Sequence, residues 1–388
     1  MSECFIETSW GSLNHWGEEL CGDKVEVVTK ADSTLLILSD GLGSGVKANI
    51  LASLTAKIIS SMFQGGADLK DVVETIASTL PVCRERQVAY STFTVIQCWK
   101  DGSAYMVEFD NPTLVLLREG KRAYIPWVEQ TISGKRVREA RMQLKLGDCA
   151  VAFSDGVVHA GVGRTLSLGW QHEAAVKYLE SVYVPEITAA QLQHKLLAKA
   201  NDLYADMPGD DTTVAALRLT VPVPCYVMVG PPVDPADDAR VVDELMACTG
   251  IKVICGGTTS QIVSQVTGKE LSIDLAYFSP DVPPMARMEG IDLVTEGVVT
   301  LGKTLDILEQ YLETKNTDLL HANQDGAHLL AHALVERCTS ARFMVGRALN
   351  PAHQNPDMPI SLSIKLRLVK DITACLHKLG KTVELKFY

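Results

Sequence analysis

Positive charge is the first thing this sequence is short of. Its 36 Lys and Arg stand against 47 Asp and Glu, a net charge of −11 over 388 residues. Binding to nucleic acid needs a basic footprint that neutralises phosphates, so no nucleic-acid partner is expected. An acidic substrate would need bound cations to supply the missing positive field. Long apolar runs are also missing: none approaches the ~20 residues that span a bilayer. The opening MSECFIETSW has neither the basic nor the apolar region of a signal peptide. These two absences predict a cytoplasmic protein with no membrane association. The ten cysteines are scattered, with no C-x-x-C pair, which argues against a disulfide scaffold and a structural zinc site. Reduced, mostly buried thiols are expected instead. Internal repeats and low-complexity tracts are absent too.

What is present is ordinary globular material, 47% hydrophobic and 21% charged. The length exceeds the usual size of one core, so two domains are expected. Thr220-Val221-Pro222-Val223-Pro224 marks the seam, because two prolines so close fit neither a helix nor a central strand. The predicted domains are therefore 1–220 and 225–388. In the first, Val25 to Thr29 and Leu35 to Ser39 read as strands, the second buried on both faces. Val46 to Phe63 carries helical spacing, and Leu69 to Leu80 is a second helix closed by Pro81. Thr92 to Trp99, Ala104 to Phe109 and Leu114 to Arg118 read as strands separated by turn signals. Helices are predicted near Trp170 to Ser181 and from Thr188 to Tyr204, the latter with Thr188 and Gln191 in capping-box spacing. Thr213 to Leu219 is a last strand. Hairpin-linked strands flanked by helices predict a two-sheet sandwich.

Three motifs share one character: an apolar strand ending in an aspartate beside glycine or another aspartate. They are Ile37-Leu38-Ser39-Asp40-Gly41-Leu42-Gly43-Ser44-Gly45, Ala152-Phe153-Ser154-Asp155-Gly156 and Pro208-Gly209-Asp210-Asp211-Thr212-Thr213-Val214. A carboxylate at the end of a buried strand is held rigidly yet opens toward solvent. Several converging would repel one another unless cations neutralise them. Oxygen ligands favour Mg²⁺ or Mn²⁺ over zinc. Glycine after the aspartate leaves the backbone accessible, so the Gly41 carbonyl is itself a candidate ligand. A single Asp-Gly is first of all a turn signal. Three such motifs in this order, each after a strand, are far more specific.

With Gly22-Asp23 and Tyr90-Ser91-Thr92-Phe93 added, this order of motifs resembles the metal-dependent protein phosphatase (PPM, type 2C) family, in particular its bacterial SpoIIE/RsbU branch. The resemblance covers about residues 10–219. It implies an αββα sandwich and two bound Mn²⁺ or Mg²⁺ ions. On this resemblance Asp40 bridges both metals, Gly41 offers its carbonyl to one, and Asp155 and Asp210 hold the other. Asp23 acts through metal-bound water, and Asp211 supports the ligands. Two such cations would activate a water for attack on phosphorus, so serine/threonine phosphatase activity is implied. The implied substrate is a phosphorylated regulatory protein of the anti-sigma-factor antagonist kind. Two features depart from relatives of the eukaryotic type: Leu42 stands where they often have histidine, and no substrate-binding arginine has a counterpart. His159 is near the second motif, and reads as a surface residue. A scaffold without turnover and a hydrolase of small phosphate esters remain as alternative functions.

The remainder, 225–388, resembles no family. Tyr226 to Val229 and Val253-Ile254 read as strands, and Asp234-Pro235 as a helix start, so an α/β domain with parallel pairing is predicted. Cys255-Gly256-Gly257-Thr258-Thr259-Ser260 lies between a strand and a helix, where backbone N–H groups could bind an anion. It lacks the P-loop signature and reads first as a plain strand–turn–helix junction. Gly256, Gly257, Thr258 and Thr259 are thus candidate anion ligands for a ligand-sensing domain. Val229 to Pro232 and Asn350 to Pro356 read as loops. His321, His328 and His332 share a region, but with no third ligand nearby the sequence favours a polar helix face over a metal site.

Overall fold

The computed structural model describes residues 4–79, 91–274, 281–348 and 360–388. The chain divides into two compact units, Met1–Val221 and Pro222–Tyr388. Leu80, Pro81, Tyr90 and the expected loop from Asn350 to Pro356 lie outside the described residues.

In the first unit the elements run β1 (Phe5–Leu13), β2 (Asp23–Thr29), β3 (Ser33–Gly41), α1 (Gly45–Gln64), α2 (Leu69–Thr79), β4 (Ser91–Trp99), β5 (Ser103–Phe109) and β6 (Val115–Arg118). They continue with β7 (Lys121–Arg122), β8 (Val128–Ile132), β9 (Lys135–Gln143), β10 (Cys149–Phe153), α3 (Asp155–His159), α4 (His172–Val182), α5 (Ala189–Tyr204) and β11 (Thr212–Thr220). They build two sheets, β2-β3-β4-β5-β9-β8 and β1-β11-β10-β6-β7. Every pairing is antiparallel.

Strand alternation explains the layers. Leu36 and Leu38 point between the sheets, where they meet Leu116, Ala150, Ala152 and Leu217. Their neighbours Leu35 and Ile37 point the other way, onto Ala56, Ile59, Val72 and Ile76 of α1 and α2. On the far side Val151 and Phe153 of β10 pack on Leu179, Leu192 and Leu196 of α4 and α5. Three apolar layers thus separate helix, sheet, sheet and helix, the αββα sandwich. The capping box at Thr188 and Gln191 is formed in both directions. The β8–β9 hairpin was not foreseen. Its KRVREARMQ strand is largely polar and buries only Val137 and Ala140 fully in the cores, with Met142 packed partly against one, so its apolar alternation is too thin to read. Ser133 and Gly134, both with positive φ, turn it.

The second unit comprises β12 (Pro224–Val229), α6 (Asp238–Ala247), β13 (Ile251–Cys255), α7 (Gly257–Thr267), β14 (Ser272–Asp274) and β15 (Met285–Met288), then β16 (Ile291–Thr295), α8 (Val298–Thr314), α9 (Gly326–His332), β17 (Ser340–Val345), α10 (Ile360–Lys378) and β18 (Thr382–Phe387). One sheet runs β14-β15-β16-β13-β12-β17-β18. The five strands from β16 to β18 in that order are parallel, and β14 and β15 extend them antiparallel. Both faces are covered, as parallel sheets require. Val227, Val253 and Phe343 face α8, α9 and α10, while Met228, Ile254 and Met344 face α6 and α7.

Candidate functional site

Two neighbouring strands of the first sheet bring the first carboxylates together. Asp23 opens β2 directly opposite Asp40, near the end of β3. The Ser91 hydroxyl donates to the Asp40 carbonyl at 2.8 Å, fixing the strand end. Gly41 follows, and its N–H donates to the Gly22 carbonyl at 3.2 Å. A Cβ on Gly41 would sit 2.2 Å from the Ala48 carbonyl oxygen, so the first turn of α1 packs directly on this residue. Only glycine permits that approach.

The second sheet supplies the others. Asp155 begins α3 just beyond β10, and Asp210 and Asp211 lie just before β11, the strand paired with β10. Thr213 N–H donates to the Ser154 hydroxyl at 2.9 Å, tying the two segments. Tyr204, buried in α5, donates to the Gly156 carbonyl at 2.8 Å and pins α3 from below. Asp155, His159 and Asp210 each offer a ligand atom within 4.8 Å of the others. Asp210 accepts from the Asp211 N–H at 2.9 Å, and Asp211 accepts from the His15 N–H at 2.9 Å.

The electrostatics are those of crowded acids. Burial is the largest cause lifting Asp40, to about 9, and the charges of Asp23, Asp155 and Asp210 add to it. Asp23 rises to about 7, again chiefly by burial. The hydroxyls of Ser154 and Thr213 are near enough to offset part of that rise. Neither Asp23 oxygen, however, closes a hydrogen bond of proper geometry, although the residue is only 4% exposed. Asp210 rises to about 6 through burial and the Asp155 charge. Both Asp23 oxygens and Asp211 Oδ2 are buried without a hydrogen-bond partner among the described residues. Aspartates so crowded are close to neutral only when protonated, which fits hard divalent cations, with one His159 nitrogen beside Asp155 and Asp210.

Asp23, Asp40, Asp155 and Asp210 therefore act on one another as a cluster next to Gly41. The charge of Asp211, whose buried Oδ2 has no hydrogen-bond partner among the described residues, acts on Asp23 and Asp210 as well. His159 is exposed, as the sequence suggested, yet stands against two of the carboxylates. The only advance signal was its i, i+4 spacing from Asp155.

In the second unit, Gly256, Gly257, Thr258 and Thr259 line a cavity of about 840 Å³ at the start of α7, together with Val229 to Pro232. The histidine reading needs a correction. A third ligand type is present: Glu336, almost fully buried, lies 2.8 Å from His321 Nε2 and 3.3 Å from His332 Nε2. It follows His332 at i, i+4, so the spacing was legible; the expectation weighed histidines alone and passed over this carboxylate. His328 stands apart, paired with Asp325 at 2.9 Å.

Residues 30–220 match the family model described as "Stage II sporulation protein E (SpoIIE)". No curated protein matches the chain. Among solved structures, the chain is similar to the PP2C phosphatase domain with a fragment of the regulatory domain of SpoIIE from Bacillus subtilis. Identity there is 19% and the TM-score 0.48, over 57% of this chain and 63% of that one, under two thirds of its length. It is also similar to the RsbU and RsbW domains of Rv1364c from Mycobacterium tuberculosis, at 16% identity and a TM-score of 0.46 over 69% and 70% of the two chains. RsbX in complex with magnesium is a third, at 16% identity and a TM-score of 0.40, covering 57% of this chain and all of that one.

Proposed function

We propose that this chain, whose residues 30–220 belong to the SpoIIE family, is a metal-dependent phosphatase of phosphoserine or phosphothreonine on a regulatory protein. The observation that carries the reading is the cluster itself: four interacting carboxylates, with both oxygens of Asp23 buried and without a hydrogen-bond partner among the described residues. Asp40, central in the cluster, would be shared by two Mn²⁺ or Mg²⁺ ions, with the Gly41 carbonyl on one and Asp155 and Asp210 on the other. Asp23 would act through a metal-bound water. Bound there, the cations would supply an activated water and offset charge on the phosphoryl oxygens.

The chain's own residues do the positioning. Ser91 holds the Asp40 backbone, Tyr204 holds the Gly156 backbone, and Asp211 joins the His15 loop to the Asp210 turn. Rigid ligands held by hydrogen bonds to their own backbone are what a metal centre requires. A substrate of the anti-sigma-factor antagonist kind follows from the family resemblance, and Mn²⁺-dependent turnover is the first test. Asp40→Asn should lose at least about a thousandfold in turnover of an aryl phosphate, since it removes the shared ligand. Asp155→Asn and Asp210→Asn should be impaired most at low Mn²⁺. Wild-type rates from Asp40→Asn across a manganese titration would exclude the metal assignment. A phosphoprotein hydrolysed no faster than the aryl phosphate would favour a small-ester hydrolase.

A further inference from the structure

The five parallel strands of the second unit stand in the order β16-β13-β12-β17-β18. The first of them in sequence, β12, therefore lies between the second, β13, and the fourth, β17. Connections leave such a sheet in opposite directions on either side of that point. Open α/β sheets take ligands in the crevice beyond the carboxyl ends there. The cavity of about 840 Å³ lies at these ends: Gly230 follows β12, Gly256 follows β13, Glu296 follows β16 and Arg347 follows β17.

Its charge is asymmetric. The helical turn after β12 is closed by its own aspartate, Asp234, which accepts from the Ala236 N–H at 2.9 Å. The helices α7 and α8 begin differently. Their caps are Gly256 and Gly297, with no side chain to close the first amides. A Cβ on Gly297 would lie 3.7 Å from the Gly256 Cα, so two helix amino ends converge. The exposed Glu296 covers one of these amides, accepting from Gly297 N–H at 3.2 Å.

Two cations and a hydroxyl complete this end. Lys365 Nζ donates to the Gly346 carbonyl at 2.7 Å and has no carboxylate partner among the described residues. Burial pulls its pKa down, as expected of a cation without compensation. Arg347, over the ring of Phe387, also lacks a carboxylate partner there. Thr259 lines the cavity at 1% exposure, and its hydroxyl lies 3.1 Å from where a Gly256 Cβ would be. That hydroxyl has no hydrogen-bond partner among the described residues. Its oxygen is not sealed in the core but opens on the cavity, where a ligand can reach it. The remaining wall is apolar, with Pro231, Pro232, Ile262, Val298 and Leu301. Asp238, also on the wall, has a buried Oδ1 without a partner. The volume suits a ligand much larger than phosphate alone.

We propose that this cavity binds a nucleoside phosphate. Its phosphates sit on the amino ends of α7 and α8 with Lys365, Arg347 and the Thr259 hydroxyl. Its nucleoside lies on the proline- and valine-lined wall, and Asp238 accepts from a hydroxyl or amino group. The site is separate from the acidic cluster and does not depend on the phosphatase reading.

The test is isothermal titration calorimetry on the full chain carrying Asp40→Asn, in EDTA, so that the acidic cluster offers no metal to a phosphate. The probes are ADP, GDP, CDP and UDP, each nucleoside alone, and inorganic pyrophosphate. At least one diphosphate should bind about tenfold or more tighter than both its nucleoside and pyrophosphate. Adding Thr258→Glu, an exposed position whose new carboxylate favours the start of α7, with Arg347→Gln should weaken that binding about tenfold while the melting temperature holds. The proposal is overturned if none of the four binds at millimolar concentration, or if pyrophosphate binds as well as the best of them. Unchanged affinity in the doubly substituted protein overturns it too.

Discussion

Metal-free protein should lose stability as pH rises, while Mn²⁺-loaded protein should gain it. Asp23, Asp40 and Asp210 stand at about 7, 9 and 6 against an ordinary 3.8. For an acid raised in this way the folded state holds its proton more tightly than the unfolded chain. Stability from these groups is thus fully present below about pH 4 and falls as pH climbs through the folded values. Each net proton is worth ~1.4 kcal/mol per pH unit, or about 3 kcal/mol between about pH 5 and 7.5. Three independent sites would lose about 7 kcal/mol, roughly twice as much and on the scale of a domain's whole stability. Because the carboxylates repel one another they shed protons in sequence, and one net proton is the figure expected over this interval. Cations replace those protons, so metal binding strengthens with pH and reverses the slope. The five tryptophans, Trp10, Trp16, Trp99, Trp127 and Trp170, all lie in the first unit. Their fluorescence in a urea titration therefore reports that unit alone. Asp23→Asn, Asp40→Asn and Asp210→Asn combined should flatten both slopes. If the combined variant keeps the wild-type slope in EDTA, or is stabilised by Mn²⁺ as much as wild type, the cluster is not the origin of either effect.

Gly41→Ala should destabilise the first unit by more than ~2 kcal/mol and abolish Mn²⁺-dependent turnover, because its Cβ meets the Ala48 backbone at 2.2 Å. Gly43→Ala, in open space at φ +95°, should cost only the ~1 kcal/mol of its backbone strain; equal losses in urea unfolding would refute the steric argument. A fragment of residues 1–221 should unfold cooperatively in urea and keep its Mn²⁺ response, since the three apolar layers of the sandwich are complete within it. A broad, non-cooperative transition would show that it does not fold alone.

Where an element buries one face or both with a strong period, its sequence was readable. Leu35 to Leu38 alternate between two cores without a polar interruption, and Thr188 with Gln191 announces α5 before its apolar stripe begins. The β8–β9 hairpin failed on the same criterion. Arg138 at its middle is held by an ion pair with buried Glu108 at 2.5 Å, a tertiary contact that no local window contains. In the second unit the first strands and the Asp234-Pro235 start were legible, but the strand order was not. Pairing β12 with β17 spans over a hundred residues, and only long-range packing decides it.

The acidic motifs were legible because each ligand follows an apolar strand, so identity and placement are written side by side. Their partners are not local. Asp211 is secured by the amide of His15, 196 residues away, and Asp23 is set opposite Asp40 by strand register. Glu336 makes the contrast sharper. Its i, i+4 relation to His332 is local, but its bond to His321, 15 residues earlier, is set only by how the chain folds back before α9. The cavity in the second unit fails differently. Gly256 and Gly297 are unremarkable as sequence, 41 positions apart, and become one anion-attracting surface only once a parallel sheet aligns the ends of β13 and β16. A motif can announce a site whose ligands sit on neighbouring loops in known order. A site made from the ends of strands must wait for the topology.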